Sequence, residues 1–441
     1  MFKSLYLQNT AYYVAGFAAI LFVLSYFFPF LFTLANILLV LLGITILLDT
    51  VLLFGQRNAL LAHRQMAERF SLGDNNKVLL VITNGFGFKV DLIVVDEIPF
   101  QFQQRNWERN IALEKNEIHK LEYYLKPTER GTFEFGNINL FAKGPLKLIK
   151  RRFIFPVSQS IIVYPSYLQM RRYQLLATSN HLQEAGMKRI RKLGHSMEFE
   201  QIKDYVRGDD YRTINWKATA RKRDLMVNSF TDERSQQVYC VINKGRLMKM
   251  PFDGMSLLDY AINASLVLSN VVISKQDKAG LITFAEKTDT FIQADKKVTQ
   301  MNLLMEKLYR QQTNFLEADY EGLYSVLRNR VSHRSLLVLF TNFETLEGLE
   351  RELPSLRMMA KYHLLLVVIF ENTEVEKLVH SGATTIEEIY IKTIAEKYAH
   401  EKKLIVKELR KNGIISILSI PSKLTINTLN KYLELKGRNL V

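Results

Sequence analysis

The stretch Glu198 to Arg234, EFEQIKDYVRGDDYRTINWKATARKRDLMVNSFTDER, concentrates side chains that could do chemistry. Asp204, Asp209, Asp210 and Asp224 lie within a few residues of Arg212, Lys217, Arg221 and Arg223. Carboxylates this close to cations stay ionised, which suits ion pairing and disfavours general acid–base work. The pattern predicts an ion-pair network. It also predicts a turn at Gly208 and a helix beginning near Tyr211, capped by Asp209 or Asp210. Tyr205, Tyr211, Ile214 and Trp216 sit among these charges. Such a mixture can brace a domain junction or present a docking surface. The alternative is a metal-dependent hydrolase or other enzyme using Asp209, Asp210 and Asp253, but nothing in the sequence positions a nucleophile or base. The eight histidines, among them His63, His119, His195, His333 and His363, show no i, i+4 pairing. Walker A, Gly-x-Ser-x-Gly and kinase motifs are absent, and Gly85-Phe86-Gly87 lacks the third glycine of a phosphate loop. The single cysteine, Cys240, lies in an apolar run and reads as a buried structural thiol. Met248, Met250 and Met255 read as packing under a sheet rim, or as an adaptable contact.

Several elements must position these residues. The 441 residues suffice for two or three domains. Tyr12–Phe28 and Phe30–Leu48 are apolar runs separated by Pro29, each near the ~20 residues that cross a bilayer. They predict a transmembrane hairpin over residues 1–56, followed by a juxtamembrane linker over 57–74. Lys3, Arg57, Arg64 and Arg69 flank the hairpin and its turn carries no cation, which predicts cytoplasmic termini at the inner membrane. Asp49 is expected at the inner interface, in reach of water. Residues 75–166 carry short strand-like runs (Val78–Ile82, Asp91–Val95, Lys120–Leu125, Ile138–Leu140, Ser160–Tyr164) between turn signals, predicting a small antiparallel β-sandwich. Residues 167–235 form a linker plus the charged stretch. Over 236–441, apolar strands (Val238–Ile242, Gly280–Phe284, Leu336–Thr341, Leu364–Phe370, Ile414–Leu418) alternate with amphipathic helices, predicting a mainly parallel sheet covered on both faces. The net charge is +15. Lys150, Arg151, Arg152, Arg171, Arg172, Lys188, Arg189, Arg191 and Lys192 read as a basic face toward anionic lipid headgroups. No zinc-finger, stacking or recognition-helix pattern points to nucleic acid.

The charged stretch is similar to the signature of the domain of unknown function 58 family. Matching positions include Glu200, Tyr205, Gly208, Asp209, Asp210, Arg212, Ile214, Asn215, Trp216, Lys217, Ala218, Ala220, Arg221 and Glu233. Lys203-Asp204-Tyr205 departs from the Arg-Glu-Tyr of many members. Glu129–Phe133 and Gly144-Pro145-Leu146 resemble the sandwich segment that precedes the signature in that family. The resemblance implies that the last domain has the Rossmann-like topology of a von Willebrand factor type A domain. There the first strand commonly ends in Asp-x-Ser-x-Ser, which binds a divalent ion with a threonine and a later aspartate. Here those positions read Asn243, Gly245 and Leu247, with Thr313 for the threonine and Asn342 for the aspartate. Magnesium prefers carboxylate oxygens, so no tight metal binding and no cofactor are expected. Asn243 and Asn342 are expected to bond to each other, to nearby backbone or to a partner's loop. The resemblance further implies a membrane-anchored, non-enzymatic adaptor working with a MoxR-type AAA+ ATPase in protein assembly or maturation.

Overall fold

A computed structural model of the chain describes residues 4–56, 59–171, 197–206, 209–232, 235–252, 254–313, 315–383, 385–438 and 440. The chain divides into two compact units, Met1–Tyr164 and Pro165–Val441.

The first unit opens with β1 (Leu5–Leu7), α1 (Asn9–Leu24) and α2 (Phe30–Phe54). Large apolar side chains are exposed along both helices, from Tyr13 to Leu52. With its 25 residues, α2 is long and apolar enough to cross a membrane, whereas α1 is shorter at 16. The strands follow: β2 (Leu60–Met66), β3 (Arg69–Ser71), β4 (Asn76–Asn84), β5 (Val90–Asp96), β6 (Glu108–Leu113), β7 (Ile118–Leu125), β8 (Gly131–Phe135), β9 (Ile138–Lys143), β10 (Ile149–Phe155) and β11 (Gln159–Tyr164). They form sheets in the orders β1-β10-β9-β5-β6, β2-β4-β7 and β3-β11-β8. Pairing is antiparallel except between β3 and β11. In β5 every second residue is buried, the period of a strand with one face in the core.

Three expectations for this unit need correction. Residues 60–66 and 69–71 are strands, not linker. Their apolar alternation is broken because the inward position of β2 is Arg64, fully buried against Asp96. Arg64 also donates to the Val157 and Gly136 carbonyls at 3.1 Å, so its charge is spent inside the sandwich and not at a lipid surface. Tyr123 donates to the same carboxylate, and burial, then Asp96, pushes its phenol far up.

Asp49 does not reach water either. It is fully buried and accepts the backbone N–H groups of Leu146 and Leu148 at 3.2 Å and of Ile149 at 3.3 Å. The loop can approach because residue 144 is glycine: a Cβ there would collide with the Asp49 carboxylate. Arg151, expected on a solvated basic face, instead donates to the Leu53 and Gln56 carbonyls at 2.5 and 2.9 Å and stacks on Phe54. A guanidinium on the last carbonyls of α2 satisfies acceptors that the helix itself cannot. Arg152 bonds Asn139. Lys150 is half-buried and Arg171 exposed, and the rest of the expected basic face, from Arg172 to Lys192, lies outside the described residues.

The second unit contains β12 (Met197–Asp204), α3 (Trp216–Lys222), β13 (Met226–Asp232), β14 (Gln237–Asn243), a short ribbon of β15 (Pro251–Phe252) and β16 (Met255–Ser256), α4 (Leu257–Ser274), β17 (Lys278–Phe284), β18 (Thr288–Asp295), α5 (Val298–Tyr309), α6 (Tyr320–Arg330), β19 (Leu336–Phe340), α7 (Leu346–Tyr362), β20 (Leu364–Phe370), α8 (Thr373–His380), α9 (Ile386–Lys411), β21 (Ile415–Ser419) and α10 (Leu424–Gly437). Its main sheet has the order β18-β17-β14-β19-β20-β21. All pairs are parallel except β17 with β18, an edge strand the sequence reading missed. Val238, Cys240 and Ile242 face a core shared with α4, α5 and α10, while Tyr239 and Val241 face one shared with α6, α7 and α9. Both faces are thus covered, which explains the continuous apolar strands. Although α4 is long and apolar enough to cross a membrane, most of it is buried in this core. Gly280 is needed beside Tyr239, because a Cβ would come within 2.5 Å of that ring. Burial raises the Cys240 thiol to about 11, consistent with an inert structural side chain.

Candidate functional site: the switch-point cleft and the signature hairpin

Chain order in the main sheet reverses between β14 and β19. Progress from β14 goes outward to β17 and β18, then returns to β19 and continues to β20 and β21. Parallel α/β sheets leave a crevice at the carboxyl ends of the strands at such a point. A cleft of about 440 Å³ opens there, lined by Asn243, Gly245, Leu247, Tyr320, Asn342 and Thr345, with Arg246, Arg351, Glu317, Glu344, Glu347 and Glu352 toward its rim.

The floor of the cleft is bonded within itself. Asn243, 3% exposed, accepts the Gly245 N–H at 2.7 Å. Its amide nitrogen donates to Thr341 Oγ1 at 3.0 Å and to Tyr320 OH at 3.3 Å. Tyr320 and Thr341 share a further hydrogen bond of 2.5 Å, and burial raises the Tyr320 phenol well above its ordinary pKa. The Asn342 oxygen accepts from Lys402 Nζ at 2.8 Å, and the same ammonium reaches the Phe343 carbonyl. Asn243 therefore bonds to nearby backbone, as one of the expected alternatives had it, but Asn342 takes a lysine.

Lys402 is 3% exposed, and burial lowers its pKa to about 8. Nearby Glu344 and Glu401 oppose that shift. Lys402 sits where a helix-spaced stripe of Ala395, Ile405, Val406 and Leu409 faces the core. A lysine on such a stripe was the signal available in the sequence, and it went unread. Tyr320 and Thr341 were missed too, because nothing local marks them. Thr313 is not among the cleft's lining residues. Lys244 adds no charge to the cleft: its side chain is buried and pairs with Asp289. Arg246 pairs with Glu317 at 3.1 Å.

This donor set does not fit a divalent cation. Asn243 and Asn342 offer amides and not carboxylates, one amide oxygen is already held by an N–H, and the other faces an ammonium. Among the described residues, no group of three or more His, Cys, Asp or Glu side chains is arranged to hold a metal.

The signature forms a second locus. β12 and β13 pair antiparallel, and the residues between them fold over that ribbon. Tyr205 N–H bonds the Leu225 carbonyl at 2.8 Å. Asp209 accepts from Val206 N–H and Lys203 Nζ, both at 3.0 Å, and these bonds, the backbone one first, lower its pKa. Asp210 caps a single 3₁₀ turn, Tyr211–Thr213, through Arg212 N–H. The expected helix from Tyr211 is not formed. Ile214 takes an extended conformation and bridges to Val227, so helix begins only at Trp216, capped by Asn215. Asn215 accepts the Ala218 N–H at 3.0 Å and donates to Asn228 at 2.8 Å. Thr219 Oγ1 accepts the Met226 N–H.

The ion pairs differ from the expected network. Those seen among the described residues join Lys203 to Asp209 at 3.0 Å and Lys222 to Asp204 at 2.6 Å, all on the surface. Arg212, Lys217, Arg221 and Arg223 are exposed, with Arg212 lying over the Tyr211 ring. Tyr211 and Trp216 are 69% and 70% exposed. With Asp209 and Asp210 engaged as local caps, neither is set up as a general base or metal ligand. Gly208, Glu233 and Asp253 lie outside the described residues, as does the side chain of Glu200.

Residues 201–399 match the family model described as "Protein of unknown function DUF58". The uncharacterized protein YeaD of Bacillus subtilis (strain 168) is 25% identical over 194 residues, 42% of this chain and 47% of that relative. The match therefore spans about half the relative's length. Among solved structures, the conserved hypothetical protein BatB from Bacteroides thetaiotaomicron is similar at a TM-score of 0.30 and 12% identity, covering 46% of this chain and 100% of that one. The CARDB domain of the PF1109 protein from Pyrococcus furiosus reaches a TM-score of 0.18 at 13% identity, over 24% of this chain and 86% of that one. Overlaps this low carry no argument about the fold.

Proposed function

We propose that this chain is a membrane-anchored, non-enzymatic adaptor whose second unit contains a von Willebrand factor type A-like domain used for protein docking. The observation that carries this reading is the cleft floor: where such a sheet would hold an ion or substrate, Asn243, Thr341, Tyr320, Asn342 and Lys402 bond to one another and to backbone. Recognition is then left to the cleft rim and to the exposed Tyr211 and Trp216, since aromatic and arginine side chains are the commonest anchors of protein interfaces.

The apolar surface of α1 and α2 supports a two-span anchor in the inner membrane. The absence of cations from the Ser25–Pro29 turn supports cytoplasmic placement of both termini. The partner class we infer is a MoxR-type AAA+ ATPase, from the signature resemblance, acting in assembly or maturation of other proteins.

The test is purification of the full chain from detergent-solubilised membranes of its own host, with bound proteins identified by mass spectrometry. An AAA+ ATPase retained by the wild type and lost with Arg212→Ala or Trp216→Ala supports the proposal. Repeated recovery without any ATPase, or turnover of a substrate that depends on a bound cation, overturns it.

A further inference from the structure

The opposite edge of the main sheet, where β19 and β20 begin, holds a separate cavity of about 320 Å³. That volume is at the lower end of the roughly 300–1,000 Å³ typical of small-molecule sites. Arg328, His333, Arg334 and His363 line it together with Tyr324 and Tyr362, and no carboxylate among the described residues does. The Arg328 guanidinium stacks over the Tyr362 ring, 4.2 Å from its centroid. Stacking fixes the plane of the fork and leaves its N–H edges for an acceptor.

The imidazole of His363 is a second, independent observation. It is 6% exposed, and its buried Nδ1 has no hydrogen-bond partner among the described residues. Buried ring nitrogens are normally paired, so an orphan calls for a partner that the described residues do not supply. Burial lowers the His363 pKa, which keeps the ring neutral at neutral pH, and the Nδ1–H tautomer is a donor.

The cations also have a structural use, because α6 and α7 both end here and basic residues favour helix C-termini. Each helix end supplies roughly half a negative charge. Arg328, Arg330, Arg334 and Lys361 exceed that sum, and compensating a helix dipole does not require a buried unpaired imidazole.

We propose that this cavity binds a phosphate group, free or on a small molecule, with Arg328 and Arg334 supplying charge and a fork of donors and His363 an oriented N–H. Paired guanidiniums match the geometry of phosphate oxygens.

Isothermal titration of the detergent-solubilised full chain with inorganic phosphate and with methyl phosphate, at constant ionic strength, tests this. Saturable binding is expected, weakened roughly tenfold or more by Arg328→Gln or Arg334→Gln, as loss of one charge-assisted hydrogen bond implies. Both arginines are exposed, so these variants should fold. Arg310→Gln, on an exposed arginine that does not line the cavity, should leave binding unchanged. Tighter binding of methyl phosphate would assign the site to a phosphate ester, and tighter inorganic phosphate to the free ion. Heat that does not saturate, or binding equally strong in both arginine variants, overturns the proposal.

Discussion

In the switch-point cleft, Asn243, Asn342 and Lys402 are all 3% exposed and each has a hydrogen-bond partner inside the protein. In the signature hairpin, Tyr211 and Trp216 are about two-thirds exposed, and the surrounding cations face water. Both loci look polar and charged in the sequence. The difference is where the polar groups find their partners. A locus that satisfies itself contributes to stability and has little left to offer a ligand. A locus whose aromatic rings and guanidiniums stay in solvent contributes little to stability and keeps its binding capacity.

That contrast is open to measurement. The largest effect is expected at Lys402. Lys402→Ala leaves a cavity and orphans the acceptors of Asn342 and Phe343, at a cost of about 2–4 kcal/mol. Thermal unfolding that is insensitive to this change would remove the ammonium from its place in the cleft floor. Lys402 also ties stability to pH. Its folded pKa is near 8 and its ordinary value 10.5. Between those values the unfolded chain binds the extra proton, so wild-type stability should rise with pH, by on the order of 3 kcal/mol across the window. Lys402→Met should lack that rise, and parallel unfolding curves for the two proteins between pH 8 and 10.5 would contradict it.

An intermediate effect belongs to Asn215, which caps the short helix of the hairpin. Asn215→Ala should cost about 1 kcal/mol and loosen the hairpin without moving the cleft. Hydrogen exchange confined to residues near 215–226 would sharpen the contrast, whereas exchange spreading to β14 would blur it. The smallest effect on stability is expected at Trp216: Trp216→Ala should shift it by no more than about 0.5 kcal/mol. Partner retention should nevertheless fall. A large loss of stability would mean that the ring packs against something, and that the hairpin is a brace and not a docking face.

Much of the architecture was legible in local pattern. Apolar runs gave α1 and α2, and strand–helix alternation gave β14, β17, β19, β20 and β21, because period and length are properties of neighbouring residues. That residues 243–247 carry no carboxylate was legible for the same reason. Strands β2 and β18 were not legible. β2 buries an arginine where alternation calls for an apolar residue, and β18 alternates too weakly, with only Ile292 fully inside.

By itself the sequence determined which residues are apolar and in what rhythm, hence the elements, and that amides stand at Asn243 and Asn342. Only the tertiary structure decided where isolated charges go. It brought Lys402 across sixty positions to Asn342, closed the Leu146–Ile149 amides over Asp49, and buried Arg64 against Asp96. The reason is physical. A buried charge needs donors or acceptors on every side, and those come from segments distant in the chain, which no local pattern records.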